Sequence, residues 1–135
     1  MILFANDWKK HPSAIVDLKT RNKSAIRLAL LYKEMGIKNY AFPLALHDPS
    51  LQGVDPFSPD LTIEQINAIA IETANNPWYF YREILRVVSS GSLDGSPLEF
   101  NRANMGYVWL CRNHVTTMLI QPRQTGKSLV ADGDK

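Results

Sequence analysis

The feature that most constrains this chain is a junction near its C-terminal end. Thr116–Ile120 is a short apolar, β-branched run that reads as a buried strand, and it feeds directly into Gln121-Pro122-Arg123-Gln124-Thr125-Gly126-Lys127-Ser128. Gly126 lets the backbone approach an oxyanion and turn into a helix. Exposed N–H groups at such a turn, backed by the helix dipole, bind phosphate. Gln121 keeps an extended backbone because a proline follows it. The expected geometry is a strand over Thr117–Ile120, a helix beginning near Gly126, and N–H groups from Gln124 to Ser128 facing one concavity.

The rest of the chain reads as mostly helical. Ser24–Met35 is expected to be a helix capped by Asn22 and ended by Gly36, with Ile26, Leu30 and Lys33 on one side and Leu31 and Met35 close by. Ala14-Ile15-Val16 is a short apolar group of undecided type, and Asn39–Leu46 is expected to be extended. His47–Asp60 is punctuated by Pro49, Gly53, Pro56 and Pro59 and reads as turns. Thr62-Ile63-Glu64-Gln65 is a capping-box pattern, followed by a helix with Ile63, Ile66, Ile69, Ala70 and Thr73 on one side. Pro77 suits the first turn of a further helix, in which Trp78, Tyr81, Leu85 and Val88 share a face. Ser89–Pro97 reads as a loop, and Asn101–Asn113 as a third good helix with an apolar middle. These periodicities place the core at Ile66, Ile69, Trp78, Tyr81, Leu85, Val108, Trp109, Leu119 and Ile120. The aromatic run Trp78–Tyr81 belongs to that core rather than to a base-stacking surface, and Arg82 with Glu83 reads as a surface pair or a cap contact.

Charge is uneven. Residues 1–40 hold eight Lys or Arg against Asp7, Asp17 and Glu34, a balance of +5. Residues 41–75 hold Asp48, Asp55, Asp60, Glu64 and Glu72 and no Lys or Arg. Such an arrangement can steer an acidic partner such as DNA, or it is two solvated faces of opposite sign. One cysteine, Cys111, excludes an internal disulfide and fits a reducing compartment. No apolar stretch approaches the ~20 residues that a membrane span needs, and the start carries no secretory signal. Cys111 and His114 have the spacing of half a zinc site, but His11 and His47 are isolated, so a buried thiol and a helix-end histidine is the plainer reading.

Gly126-Lys127-Ser128 is the working half of a Walker A motif. A lysine there reaches the β and γ phosphates of a nucleotide, and a hydroxyl there ligates Mg²⁺. The first glycine of the common loop is replaced by Gln121, and Arg123 stands early in the loop. That variant resembles the large terminase subunits of tailed bacteriophages. So do Asn76-Pro77-Trp78-Tyr79-Phe80-Tyr81-Arg82-Glu83, Phe100-Asn101-Arg102-Ala103-Asn104 and Leu51-Gln52-Gly53-Val54-Asp55-Pro56, and the likeness runs roughly from Trp8 to Ser128.

The resemblance implies the N-terminal part of a P-loop NTPase (RecA-like) α/β domain with an incomplete sheet. Residues 1–98 would precede the ATPase core and 99–135 would begin it. It implies ATP and Mg²⁺ as cofactors, held by Gln124, Thr125, Gly126, Lys127 and Ser128, with Ser128 on the metal and Arg123 directed toward the γ phosphate. Asn101, Arg102 and Asn104 lie where the family places adenine contacts, although the family's usual glutamine is missing. It further implies double-stranded DNA, a portal protein and a small terminase subunit as partners, a ring of copies on the portal, and action in the host cytoplasm. The family's Walker B Asp-Glu pair and nuclease cluster have no counterpart, since Asp132 and Asp134 follow no apolar strand. The expectation is a fragment of a packaging motor that turns over no ATP by itself. The alternatives are a truncated helicase-like ATPase and a helical adaptor with an incidental Gly-Lys-Ser.

Overall fold

A computed structural model describes residues 12–89 and 92–112. Within them, helices alternate with two small antiparallel sheets of two strands each. Strand β1 (Ile15–Val16) pairs with β2 (Ala45–Leu46), Ile15 opposite Leu46 and Val16 opposite Ala45. Between them runs helix α1 (Lys23–Glu34). Helix α2 (Ile63–Asn75) follows the turn-rich segment. A short helix α3 (Pro77–Tyr79) opens into a π-helical turn, Phe80–Ile84. Strands β3 (Arg86–Ser89) and β4 (Ser92–Pro97) make a hairpin, and helix α4 (Arg102–Arg112) closes the described chain.

Helix α1 ends as its sequence demands. Gly36 has φ +76°, its N–H bonds to Lys33 O at 3.0 Å and the Ile37 N–H to Tyr32 O at 3.0 Å. This paired closure needs a left-handed residue, which glycine adopts without steric cost. Its inward face is the alanine-containing stripe, with Ile26 half-buried at its margin. Ala25, Leu28, Ala29 and Tyr32 point inward, whereas Leu30, Leu31 and Met35 are exposed. Both stripes have helical spacing, and the one with two alanines wins because small side chains allow close approach to the aromatics beneath. Tyr32 stacks on Phe42 with ring centroids 5.5 Å apart, and Phe42 meets Trp78 edge-on at 4.7 Å.

The segment Asn39–Leu46 is not extended as expected. Pro43 sits in a 3₁₀ turn, Phe42–Leu44, and only Ala45–Leu46 is strand. Proline lacks the N–H that a ladder would need there. The turn instead drives Phe42 and Leu44 into the core.

Helix α2 begins with the expected capping box: Gln65 N–H to Thr62 Oγ1 at 3.2 Å, and Thr62 N–H to Gln65 Oε1 at 3.0 Å. The expected inward side holds only in part: Ile69 packs inward and Thr73 is half-buried, but the helix is rotated so that Ile63 and Ile66 face out. Ile63, Ile66 and Ile71 are 75%, 52% and 64% exposed, while Glu72 is buried. The polar anchors explain this. The Glu72 carboxylate accepts N–H bonds from His47 and Asp48 at 2.9 and 3.1 Å. Asn76, just past the helix, donates to Ala45 O at 2.9 Å and to Glu72 at 2.6 Å. Buried donors left without acceptors would cost more than an exposed isoleucine gains, so hydrogen bonding sets the rotation. Ala68 and Ile69 supply the apolar contact, against Leu46, Leu51 and Tyr79.

The next helix is shorter than expected. The Leu85 N–H reaches Phe80 O at 2.9 Å, a wide closure that ends it. Val88 therefore lies in β3, 80% exposed, instead of sharing a helical face with Trp78 and Tyr81. The expected loop Ser89–Pro97 is mostly strand β4, with Val87 opposite Ser96 and Arg86 opposite Pro97. Gly95 adopts φ +69° there, and a Cβ at that position would lie 3.1 Å from both Arg86 Cβ and Val87 O.

The main core joins α1, the 3₁₀ turn, Trp78, Tyr81, Leu98, Phe100 and the inner face of α4, Met105 and Val108. Of the expected core, Trp78, Tyr81 and Val108 are buried, while Ile69, Leu85 and Trp109 are half-buried. Ile66 is exposed for the reason given above, and Leu119 and Ile120, with the strand expected at Thr117–Ile120, lie outside the described residues.

Candidate functional site

The described chain concentrates its buried polar chemistry around Arg82. The aromatic helix that buries Trp78, Tyr79 and Tyr81 carries Arg82 and Glu83 inward with them, because the π-helical turn widens the backbone at that point. Arg82 is not the surface residue expected. Its side chain is wholly buried. Its Nη1 donates to Pro43 O at 2.7 Å, and both terminal nitrogens reach Ala45 O at 3.3 Å. Nε donates to Glu83 Oε1 at 3.0 Å, and Nη2 lies 3.6 Å from the Asp17 carboxylate. A planar fork of five donors suits this set, which a lysine cannot match.

Two carboxylates face that one cation. Thr20 donates its hydroxyl to Glu83 Oε1, and the Lys19 N–H donates to Asp17 Oδ1 at 3.0 Å. Burial raises the Asp17 carboxyl above its ordinary range, and the Arg82 charge opposes that rise without cancelling it. Burial likewise pushes the Tyr79 phenol above its usual range, with the charge of Glu83 acting in the same direction. The Tyr79 hydroxyl has no hydrogen-bond partner among the described residues, and it lines a shallow polar pocket with Asp17, Thr20, Gly53 and Glu83. At the same pocket Arg21 is drawn outward into an exposed pair with Asp55 at 2.7 Å.

A pH dependence follows. A carboxyl whose folded pKa is raised binds its proton more tightly when folded. Its contribution is full below the ordinary value of about 4 and is lost as pH rises through the raised value. The stability of the natural chain minus that of Asp17→Asn should therefore fall with rising pH across that window and then level. Urea midpoints measured at stepped pH check this; a difference that is flat or rises contradicts it.

A second set of contacts fixes the start of α4. Asn22 donates to Leu98 O at 2.8 Å and to Arg82 O at 3.3 Å. Ser24 donates to Asn22 Oδ1 at 2.5 Å and accepts the Phe100 N–H at 2.8 Å. Asn22 thus stands at the head of α1 without capping it by side chain; its amide is spent on the segment leading into α4. Asn101 accepts the Asn104 N–H at 2.8 Å and so caps α4. Of the three residues singled out here from sequence, Asn101 is half-buried in that role, Asn104 is buried and Arg102 is exposed. Arg102 lies close enough to Tyr32 for its charge to oppose the rise of that phenol, which burial nonetheless pushes up to about 12. Arg123, Gln124, Thr125, Gly126, Lys127 and Ser128 lie outside the described residues.

Neither known protein families, nor curated proteins, nor solved structures give a match to this chain.

The geometry therefore rests on these residues alone. Among the described residues, no three His, Cys, Asp or Glu gather in a way that could hold a metal ion. His47 Nδ1 is 3.9 Å from Glu72, and Cys111 is a half-buried free thiol. No described helix is long and apolar enough to cross a membrane. The cluster around Arg82 was not anticipated. Its one signal in the sequence is an Arg-Glu pair directly after an aromatic run, Trp78–Tyr81.

Proposed function

We propose that this chain is the N-terminal part of a viral DNA-packaging ATPase of the terminase large-subunit kind, which couples ATP hydrolysis to movement of double-stranded DNA into a procapsid. The observation that carries the reading is the segment Thr116–Ser128, an apolar β-branched run entering a Gly-Lys-Ser turn with an early arginine. A P-loop NTPase of RecA-like architecture is the fold it fits, and the mixed helices and small sheets of residues 12–112 are compatible with the α/β class. The tie between the head of α1, through Asn22 and Ser24, and the segment leading into α4 supports it further, because a phosphate loop works only on a rigid base.

In this reading Lys127 neutralises the β and γ phosphates of ATP, the Ser128 hydroxyl is a Mg²⁺ ligand, and N–H groups from Gln124 to Ser128 hold phosphate oxygens. Arg123 offers its fixed fork of donors to a γ-phosphate oxygen. Asn101, Arg102 and Asn104 are the candidates for the base end of the nucleotide, and Arg102 is the exposed member. The portal protein, a small terminase subunit and further copies in a ring would be its partners in the host cytoplasm.

These 135 residues hold no Asp-Glu pair, so binding and not turnover is the readout. The chain should take up a fluorescent ATP analogue with Mg²⁺, and Lys127→Ala should weaken that uptake at least about tenfold, the scale of one lost charge-assisted phosphate contact. Unlabelled ATP should compete. Uptake that ignores Lys127→Ala would remove the phosphate loop and the packaging assignment with it.

A further inference from the structure

The pocket beside the Arg82 cluster is lined by three side chains that each keep an oxygen without a donor among the described residues. Tyr79 is 1% exposed, and its hydroxyl is buried with no hydrogen-bond partner. Glu83 takes both Thr20 Oγ1 and Arg82 Nε on Oε1, which leaves Oε2 unused. Asp17 takes the Lys19 N–H on Oδ1, and its Oδ2 has only Arg82 Nη2 at 3.6 Å, beyond hydrogen-bond length. A buried hydroxyl without a partner is unfavourable, so an orphan beside a pocket points to a guest that supplies the missing bond.

Charge and size narrow the guest. Two carboxylates share one guanidinium, which leaves one negative charge in excess. Arg21 does not offset it, because it pairs outward with Asp55. Lys19 stands at the rim, exposed, with its stem beside Gly53. Only ≈ 10 Å³ is open to the centre of a water-sized group, room for a single one. A guanidinium is too large for that space. A water fits but brings no charge. A multivalent metal would want more ligands, and among the described residues no three His, Cys, Asp or Glu gather. An –NH₃⁺ head has the size of a water, the right charge and three donors for three acceptors.

We propose that this pocket binds a primary ammonium group, its three N–H donors shared among Glu83 Oε2, Asp17 Oδ2 and the Tyr79 hydroxyl oxygen. The inference comes from this cluster alone and does not rest on the phosphate-loop reading. Because the pocket is shallow, a carbon stem leads out to solvent, so the bearer is a small alkylamine or a lysine side chain of a partner. The carboxylates attract any cation; the phenol, fixed by the buried ring, selects one that carries N–H.

Backbone amide resonances of the isotope-labelled 135-residue chain test this near neutral pH. Methylammonium chloride should shift the amides of Thr20, Gly53 and Val54 saturably, and tetramethylammonium chloride at equal ionic strength should not. Tyr79→Phe should weaken the uptake about fivefold, the scale of one neutral hydrogen bond, and Asp17→Asn at least about tenfold. Tyr79→Phe removes a hydroxyl that bonds to nothing among the described residues, so it should fold, and it carries the test if Asp17→Asn does not. Nα-acetyl-lysine amide separates the two sources: shifts of the same amides assign the site to a lysine side chain, and shifts with methylammonium alone assign it to a small free amine. No shift with either amine would mean that the pocket holds water only and would overturn the proposal. Equal shifts with tetramethylammonium, or uptake that both variants leave unchanged, would overturn it too. So would uptake that appears only in Lys19→Met, which would make the chain's own lysine the occupant.

Discussion

Replacing Arg82 by methionine should lower the unfolding free energy by about 3–5 kcal/mol, the range seen when one partner of a buried ion pair is removed. Methionine keeps most of the volume, so packing is not the cause. What is lost is the buried cation paired with Asp17 and Glu83, together with donors to Pro43 O and Ala45 O. Both carboxyl groups are buried and cannot recover those interactions from water. Lysine should restore less than half, since a point charge cannot reach two carbonyls and two carboxylates together. Urea unfolding followed by tryptophan fluorescence measures the effect. A midpoint within experimental error of the natural chain would show that the cluster is solvated and not the clamp described above.

Glu72→Ala should be the next most damaging change, at about 2–4 kcal/mol. The carboxylate satisfies the His47 and Asp48 N–H groups and the Asn76 amide at once. Each unsatisfied buried donor costs roughly 1–3 kcal/mol, and the two backbone groups, being only part-buried, recover some of that from water. Glu72→Gln retains one acceptor oxygen and should lose about half as much. The two variants belong to one polar layer with Arg82, because Asn76 and Arg82 share the Ala45 carbonyl. Their effects should therefore not add, and the double variant, measured by the same unfolding experiment, should cost less than the sum. Strict additivity would mean two independent sites.

The same polar layer explains what could and could not be read from the sequence. Local signals were reliable wherever a short segment determines its own geometry. The Thr62–Gln65 capping box, the left-handed Gly36, and the starts near Lys23, Pro77 and Arg102 are examples, since each depends on residues a few positions apart. Which side of a helix faces inward was not local. On α2 the isoleucine stripe has the stronger apolar periodicity, yet Glu72 and Asn76 decide the rotation through carbonyls and N–H groups 24 to 31 positions away. On α1 the Ala25 and Ala29 stripe beats the leucines because of Phe42, which a turn at Pro43 delivers from another segment. The β3–β4 hairpin was hidden because Ser-rich and Gly-rich sequence has no strand propensity, and pairing with Arg86–Ser89 makes it a strand. Arg82 departs from the surface position its sequence suggests for a related reason. Arginine next to glutamate is ordinarily solvent-exposed, and only the bare carbonyls of Pro43 and Ala45 make a buried guanidinium favourable. The proposed phosphate loop rests on the types of eight consecutive residues, Gln121–Ser128, all of which lie outside the described residues.

That Gln121–Ser128 holds phosphate is tested most directly by the backbone amide resonances of the isotope-labelled chain during titration with Mg-ADP. The amides of Gln124, Thr125, Gly126, Lys127 and Ser128 should shift together, saturably, and with one binding constant, while those of Ile63, Ile66 and Ile71 on α2 stay in place. Amides of Gln124–Ser128 that do not move at saturating nucleotide, or that move no more than those of the α2 face, would contradict it.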